Sequence, residues 1–498
     1  MKKALCILFS LLLLLSLCAC GDSSTDSAND TAASTAESEQ TADQDSASTH
    51  DRPGDPPDGN GPGGTPPDGA PGGTPPDGAP GGMPGGAPGS GSSADLAYSG
   101  AVEITSADSQ SGQTYTSAAS DESALLISTA DAVSIENPSV TKTGDSDGGD
   151  NCNFYGLNAA VLVKDGTTTT ITGGTITSDA EGANGVFCYG GNGGQNGTAG
   201  DGTTLYISGT TITTTGNGSG GIMTTGGGVT YANDLTVETS GRSSAPIRTD
   251  RGGGTVIVDG GSYTSNGLGS PAIYSTAAIT VSNATLTSNL SEGVCIEGLN
   301  SITLLNCELT ANNTQRNGNA TFLDSIMIYQ SMSGDAASGT SAFTMTGGSL
   351  TSKSGHVFHV TNTSAVITLQ GVTIVNEDAE NILLSVCADG WSGGSNTAVL
   401  RAIGQELEGA VKVGSDSALT LELTNGSGFT GSIDGSIVNA SGTVVSTQVG
   451  TVSVTLDATS TWTLTGDSYV TEFNGDAANV IANGFTLYVN GTALSGTK

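Results

Sequence analysis

The sequence predicts an all-β solenoid, a coil of short strands in which every turn stacks on the one before. Nine copies of one unit recur at intervals of 23 to 41 residues, and VIVDGGSYTSNGLGSPAIYS (256–275) is typical of them. Repeats of this length indicate stacked units, because a single unit cannot bury its own apolar face. Aromatic residues make up only 4% of the 498 residues while glycine numbers 76, which suits a thin core of Val, Ile and Leu.

Three columns of the aligned copies support this prediction. The copies start at Val133, Thr169, Leu205, Thr230, Val256, Ile279, Ile302, Phe343 and Ile367. The third position is apolar throughout (Ile135, Ile171, Ile207, Ala232, Val258, Val281, Leu304, Met345, Leu369), as is the eighth (Val140, Ile176, Ile212, Val237, Tyr263, Leu286, Leu309, Leu350, Ile374). The fifth position holds only Gly, Asn or Asp: Asn137, Gly173, Gly209, Asp234, Gly260, Asn283, Asn306, Gly347, Gly371. These residues tolerate a left-handed backbone, so the column predicts a sharp turn between two strands in every coil.

A second strand follows in each coil, and alternation gives it an inward and an outward side. The predicted inward column is Val161, Phe187, Met223, Ile247, Ile273, Cys295, Ile328, Phe358 and Leu384. The predicted outward column is Ile127, Leu162, Cys188, Thr224, Arg248, Tyr274, Ile296, Tyr329, His359 and Ser385. Polar and aromatic side chains therefore share one outward stripe over several successive turns.

These repeats resemble the right-handed parallel β-helix superfamily, the pectate-lyase-like solenoids. More narrowly, they are similar to Gly/Thr-rich, adhesin-like surface lipoproteins of bacteria. The resemblance covers about residues 94–390 and implies a single-stranded right-handed parallel β-helix. It implies a surface role more strongly than a reaction. The strand-like runs of residues 391–498 predict further irregular turns and a C-terminal cap.

The N-terminal segment predicts export and anchoring. Residues 1–20 read as a secretory signal, since two lysines precede an apolar run. The ending Leu17-Cys18-Ala19-Cys20 resembles the bacterial lipobox, which implies lipidation at Cys20; an ordinary signal peptide with an incidental cysteine is the alternative. Residues 21–93, rich in Ser, Thr and Asp and then in Pro and Gly, predict a disordered linker. We therefore expect a cell-surface protein, tethered by lipid alone to the outer face of the bacterial cytoplasmic membrane or envelope.

Charge and cysteine content narrow the function classes. The formal net charge is −35, which excludes non-specific nucleic-acid binding and favours a soluble, self-repelling monomer. Cys152, Cys188, Cys295, Cys307 and Cys387 are widely spaced and odd in number, so neither a disulfide framework nor a zinc site is expected.

The outward stripe is the candidate ligand surface. Tyr274 and Tyr329 could stack on sugar faces, and Arg248 could grip hydroxyls or a carboxylate. His359 shares the stripe, while Asp250 and Glu297 lie beside it. The alternative is a Tyr ladder that merely stabilises a sheet, with Arg248 and Asp250 as a surface pair. An exposed Arg248 would contribute little to stability.

Two insertions of roughly ten residues, Thr143–Gly156 and Ala311–Leu323, are predicted to leave one corner of the coil in the first and seventh repeats. They would stand about 30 Å apart as walls of a groove, with Ile296 on its floor. The first insertion contains Asp145, Asp147 and Asp150, a spacing that could hold Ca²⁺; a solvated acidic loop is the alternative.

The leading functional hypothesis is a non-catalytic, adhesin-like or carbohydrate-binding protein whose partner is a glycan or cell-surface polymer, with no cofactor apart from the calcium that the acidic loop could take. A polysaccharide lyase or hydrolase on the same fold is the main alternative, although Glu297 lacks an obvious carboxylate partner. A passive surface spacer is the third.

Overall fold

The computed structural model describes residues 96–146, 149–192 and 200–498. The predicted fold class is confirmed: the described chain is a parallel β-helix in which each turn up to residue 376 adds one strand to each of three stacked sheets, named A, B and C. Strand pairing joins every strand to its equivalent in the next turn, so the sheets run along the solenoid axis.

The strands divide among the three sheets as follows. Sheet A contains β1 (Ser99–Ile104), β4 (Glu122–Ser128), β7 (Val161–Lys164), β10 (Val186–Tyr189), β13 (Ile222–Thr225), β16 (Ile247–Thr249), β19 (Ile273–Ser275), β22 (Val294–Glu297), β25 (Asp324–Tyr329), β28 (His356–Thr361), β31 (Ile382–Val386), β34 (Ala410–Val413) and β37 (Ile433–Asp434). Sheet B contains β2 (Asp108–Ser111), β5 (Ala132–Glu136), β8 (Thr168–Thr172), β11 (Thr204–Ser208), β14 (Gly228–Asn233), β17 (Gly254–Asp259), β20 (Ala278–Ser282), β23 (Ser301–Leu305), β26 (Thr340–Thr346), β29 (Thr363–Gln370), β32 (Asn396–Ile403), β35 (Ser417–Thr424), β40 (Thr451–Leu456) and β43 (Glu472–Asn474). Sheet C contains β3 (Thr114–Ser117), β6 (Ser139–Lys142), β9 (Thr175–Ser178), β12 (Thr211–Thr214), β15 (Thr236–Thr239), β18 (Ser262–Ser265), β21 (Thr285–Ser288), β24 (Glu308–Ala311), β27 (Ser349–Ser352) and β30 (Thr373–Asn376).

Sheets A and B continue past residue 390, whereas sheet C ends at β30 and a four-stranded sheet follows. Its strands are β33 (Glu406–Glu408), β36 (Gly428–Gly431), β41 (Thr461–Leu464) and β44 (Val480–Ile481). The remaining elements are a hairpin of β38 (Ser436–Val438) and β39 (Val444–Thr447), a sheet of β42 (Ser468–Val470), β45 (Leu487–Val489) and β46 (Thr492–Ala493), the helix α1 (Asp150–Tyr155) and a 3-10 turn at Ala477–Asn479. The part of the chain that the structure describes contains no helix with the length and hydrophobicity of a membrane span.

The repeat columns correspond to strand register. The first and third positions pair turn by turn along sheet B, from Val133 and Ile135 to Ile367 and Leu369, and all are buried. The eighth position does the same along sheet C, where only its last member, Ile374, is partly exposed. The core is therefore a stack of identical layers, as the alignment predicted.

The fifth-position column forms the predicted turns between sheets B and C. All nine residues have a left-handed backbone, with φ from +49° at Asn137 to +75° at Gly260. Residues of this column also stack on one another in successive turns, which limits the space for a side chain. A Cβ on Gly260 would lie 2.1 Å from Oδ1 of Asp234, one turn before. The composition of this column thus reflects both backbone conformation and stacking space.

The register of sheet A differs from the sequence prediction in several strands. The observed outward column is Leu126, Leu162, Phe187, Met223, Arg248, Tyr274, Cys295, Met327, His359 and Ser385. Phe187, Met223 and Cys295 therefore face outward, and Ile127, Cys188, Thr224 and Ile296 face inward, which corrects the predictions for all seven. Both faces of these strands are apolar, so the period of two could not distinguish them, and a slip of one residue exchanges the faces.

Candidate functional site

The outer face of sheet A is covered at both ends, and this explains its apolar outward residues. Near the N-terminal end, Phe154 and Tyr155 of α1 pack on Leu162, Phe187 and Met223. Near the other end, Phe322 packs with Cys387 and with Ile437 of the β38–β39 hairpin. A partly exposed stretch remains between them, around Arg248 and Tyr274.

The two long insertions leave the same corner, between sheets C and A, as predicted: one joins β6 to β7 and the other joins β24 to β25. They do not form two separate walls, however. Asn153 of the first accepts a hydrogen bond from Arg248 (3.1 Å), and Asn317 of the second accepts one from Arg242 (2.9 Å). The insertions fold over the sheet and contact neighbouring turns, so the open stretch between them is shorter than predicted. Ile296 lies in the core and is not its floor.

The centre of the open stretch is an aromatic patch, which we define as Tyr274, Tyr329 and Trp391. Tyr274 and Trp391 are partly exposed and pack against the buried Cys295, Met327 and Tyr329. The rings of Tyr329 and Trp391 have centroids 4.9 Å apart at an angle of 53°. Trp391 follows the strand β31 in a short loop, where the sequence repeat had become too irregular to assign it. Tryptophan is rare in this chain, which has only two, so Trp391 could have been selected from the sequence as a candidate ligand contact. The other tryptophan, Trp462, is fully buried.

Glu297 holds the patch from below. The hydroxyl of Tyr274 donates to Oε2 of Glu297 at 2.6 Å, and the hydroxyl of Tyr329 donates to the same atom at 3.2 Å. The hydroxyl of Ser331 donates to the other oxygen, Oε1. Glu297 is 1% exposed, and burial raises the pKa of its carboxyl above the usual range while these three hydroxyls oppose the rise. Because three hydroxyl groups donate to this carboxylate, two of them from the patch, it fixes the orientation of the Tyr274 and Tyr329 rings.

Tyr329 faces outward, as predicted, but it does not belong to the column that contains Tyr274. Met327 occupies that column in its strand, and Tyr329, two residues later, pairs with Glu297. It is 8% exposed, so it supports the patch from beneath and presents little surface to a ligand.

Two buried arginine–carboxylate pairs border the patch. Nη2 of Arg248 lies 2.7 Å from Asp250, and Nη2 of Arg251 lies 2.6 Å from Asp335. The side chain of Arg248 is 11% exposed and also donates to the carbonyl of Ser243. Arg248 is therefore a structural crosslink, and the expectation that it is a solvated, dispensable side chain is wrong. Its guanidinium lies 5.8 Å from the ring centroid of Tyr274.

The carboxyl groups of this region are electrostatically coupled. Burial raises the pKa of Asp250 to about 7; Asp335 and Glu297 add to the rise, and Arg248 opposes it. Burial likewise raises the pKa of Asp150, with a further contribution from Asp335. A carboxyl group with a pKa near neutrality can exchange a proton at working pH. Buried ion-pair networks produce the same shift without catalysis.

His359 lies in the stripe as predicted but is not available to a ligand. Its side chain is fully buried, its ring lies 4.8 Å from that of Phe322, and its Nδ1 is 2.7 Å from the hydroxyl of Ser385. Nδ1 of His356 shares the same hydroxyl at 2.7 Å. The second insertion carries Phe322 over these rings, which is why an outward residue is enclosed.

The acidic residues of the first insertion have separate environments. Asp145 accepts a hydrogen bond from the backbone N–H of Glu181 at 2.9 Å, while Asp150 begins α1. Asp147 lies outside the described residues, so the calcium hypothesis stays a prediction. Within residues 96–146, 149–192 and 200–498, no group of three or more His, Cys, Asp or Glu side chains is placed to hold a metal ion. Cys20 also lies outside the described part of the chain.

Comparison of the chain with protein-family models, curated proteins and solved structures gives no match.

Proposed function

We propose that the protein is a non-catalytic, glycan-binding β-helix that uses the aromatic patch on sheet A. The observation that carries the proposal is a pair of partly exposed aromatic residues, Tyr274 and Trp391, that pack on the same buried side chains. Aromatic faces bind sugar faces through apolar contact, and rings that are already held in place lose little conformational entropy on binding. The bond from Tyr274 to Glu297 supplies that preorganisation.

Display at the cell surface belongs to the same proposal. It rests on the lipobox-like ending at Cys20 and on the Pro- and Gly-rich stretch after it, which would extend the β-helix away from the membrane. Cys20→Ser should move the protein from the membrane fraction to the medium, and unchanged retention would contradict lipid anchoring.

The proposal is tested by a glycan array followed by calorimetry on the glycans that bind. Tyr274→Ala and Trp391→Ala should each weaken binding about fivefold or more, since stacking contacts are worth about 1 kcal/mol or more. Tyr206→Ala is the comparison variant, because Tyr206 is 44% exposed and stacks on Tyr231 on the outer face of sheet B, with ring centroids 4.9 Å apart. Loss of binding in Tyr206→Ala alone would assign the sugar site to sheet B. Parent-like affinity in both patch variants would refute the patch as the binding site, and absence of any glycan binding by the parent would leave the spacer hypothesis in its place.

The raised pKa of Asp250 favours a second candidate, a polysaccharide lyase or hydrolase with Asp250 as an acid–base group. It predicts reducing ends or unsaturated products from polyuronides or neutral polysaccharides, with and without calcium, and their loss in Asp250→Asn. Absence of products from the parent protein on these substrates would remove this candidate.

A further inference from the structure

A polar cleft lies at the corner between sheets A and B, beside the aromatic patch. Residues from three segments line it, 330–340, 362–364 and 392–395, which include the first residues of β26 and β29, and its volume is about 560 Å³. We call it the corner cleft. Its two flanking loops follow β25 and β31; Tyr329 is the last residue of β25, and Trp391 lies in the loop after β31.

One carboxylate links the corner cleft to the patch. Ser331 lines the cleft and donates to Oε1 of Glu297, whose Oε2 accepts from Tyr274 in the patch. Trp391 directly precedes Ser392, another lining residue. The two surfaces are thus joined by the side chains of adjacent turns, and a chain several sugars long could contact both.

The lining of the cleft is polar but carries no charged side chain. It consists of serine, threonine, asparagine, glutamine and glycine, with the 59%-exposed Met332. Ser338, Thr340 and Ser395 are exposed and present hydroxyls that can donate or accept. Such a lining suits a ligand with many hydroxyl groups and no net charge.

One polar side chain of the lining has an unused acceptor. Gln330 lines the cleft, is nine-tenths buried, and its Nε2 donates to the carbonyls of Ser331 and Ala336. Its Oε1 has no hydrogen-bond partner among the described residues and is itself enclosed. A ligand hydroxyl could therefore pair with it only after the Gln330 amide turns towards the cleft, a change that the unmet hydrogen bond favours.

The surrounding charges argue against an acidic ligand. Arg248 and Arg251 are already paired with Asp250 and Asp335. A uronate would have to displace one of these carboxylates and approach a protein of formal net charge −35.

We propose that the corner cleft is a second sugar subsite, which takes an uncharged unit of the same oligosaccharide chain that stacks on the aromatic patch. This inference rests on the proposed function and specifies its ligand class. The patch then holds short oligosaccharides, and longer neutral chains gain affinity by reaching the cleft.

The experiment measures binding by calorimetry as a function of chain length. The probes are disaccharides and hexasaccharides of neutral β-linked glucose, xylose and mannose, with hexagalacturonate as the acidic probe. Ser395→Tyr fills the cleft from an exposed position, and Ser134→Tyr, at an exposed site on sheet B, is the matched control. Thermal unfolding of both variants verifies that the fold is retained.

We expect at least one neutral hexasaccharide to bind ten or more times more tightly than its disaccharide, and hexagalacturonate to bind more weakly than either. Ser395→Tyr should abolish the gain with length and leave disaccharide affinity unchanged, while Ser134→Tyr behaves as the parent. If the hexasaccharide keeps its advantage in Ser395→Tyr, the subsite is refuted although the patch still binds. Preference for hexagalacturonate refutes the neutral ligand class. If none of these sugars nor any array glycan binds the parent, the proposed function itself fails.

Discussion

At the residue scale, burial decides what each candidate side chain can do. Arg248 looked like a free ligand contact in the sequence, yet it joins Asp250, Asn153 and Ser243 across two elements. An arginine that completes three contacts under a covering loop stabilises the fold more than it recognises a ligand. By the same reasoning, the candidates for ligand recognition are Tyr274 and Trp391, which remain partly exposed.

Arg248→Ala should therefore destabilise the protein by about 3 kcal/mol at pH 8, because it leaves Asp250 buried without its counter-charge. The loss should shrink at pH 5, where a carboxyl whose pKa is about 7 is protonated and needs no partner. Urea unfolding of the parent, Arg248→Ala and Arg248→Ala/Asp250→Ala measures both effects. The double variant should be less destabilised than the single, and a loss within about 0.5 kcal/mol for Arg248→Ala would restore the view of a solvated side chain.

His356 should make the protein sensitive to acid. Burial, assisted by the neighbouring His359, lowers its pKa to about 3 from 6.5. Between pH 6.5 and 3 the unfolded chain binds a proton at His356 that the folded chain does not bind. The contribution of the neutral, buried His356 to the free energy of unfolding is therefore complete above pH 6.5 and declines as the pH falls towards 3. The decline is on the order of 1.4 kcal/mol per pH unit. His356→Leu, compared with the parent by urea unfolding at pH 7.5, 6 and 5, should show a shallower pH dependence; equal slopes would contradict this role.

At the element scale, the turn between sheets B and C is the part of the fold that the sequence specifies most directly. Its nine residues are Gly, Asn or Asp because the backbone is left-handed at each of them. Apolar residues at fixed distances on either side, such as Val258 and Tyr263, then fix the register of both strands. The burial of each residue near this turn could therefore be predicted from its position in the repeat.

Two glycines of this column separate backbone strain from crowding. Gly209→Ala should cost about 1 kcal/mol, because φ is +59° and nothing lies within 4 Å of the added Cβ. Gly260→Ala should cost more, because φ is +75° and the Cβ meets Asp234 Oδ1 at 2.1 Å. Thermal and urea unfolding measure both, and Asp234→Gly in the Gly260→Ala background should recover the excess. Equal losses for the two alanine variants would mean that stacking space is not limiting.

Sheet A shows where sequence reasoning failed. In strands such as VFCY and IMTT both faces are buried, since the outer face of sheet A is covered by α1, by the second insertion and by the β38–β39 hairpin. Alternation distinguishes core from solvent only where one face meets water. Tyr274 was correctly placed because its turn is uncovered, whereas Trp391 and Ser331 belong to loops whose folding over the sheet depends on distant partners such as Glu297. Such contacts leave no periodic signal.

At the scale of the whole molecule, a solenoid is a stack in which each turn is covered by the next, so its ends must be closed. Turns beyond residue 390 cover the C-terminal end: β32 pairs with all eight residues of β29, and β34 pairs with β31. Further along, Trp462 is fully buried, stacks on Phe429 with centroids 5.5 Å apart, and donates to the carbonyl of Gly431 at 3.0 Å.

Removing these turns should make the protein aggregate. A chain of residues 96–390 would expose the backbone edge of β29, an eight-residue strand, and bare the inward side chains of Ile367 and Leu369. Exposed flat edges pair with other chains. Light scattering after size exclusion should therefore show residues 96–498 as a monomer and residues 96–390 as oligomers. Thr368→Lys, on the outward side of that edge, should reduce the association of the short chain, because edge lysines oppose pairing. If the chain of residues 96–390 is monomeric and has the thermal stability of the longer chain, the turns before residue 390 do not need the later turns to cover their end.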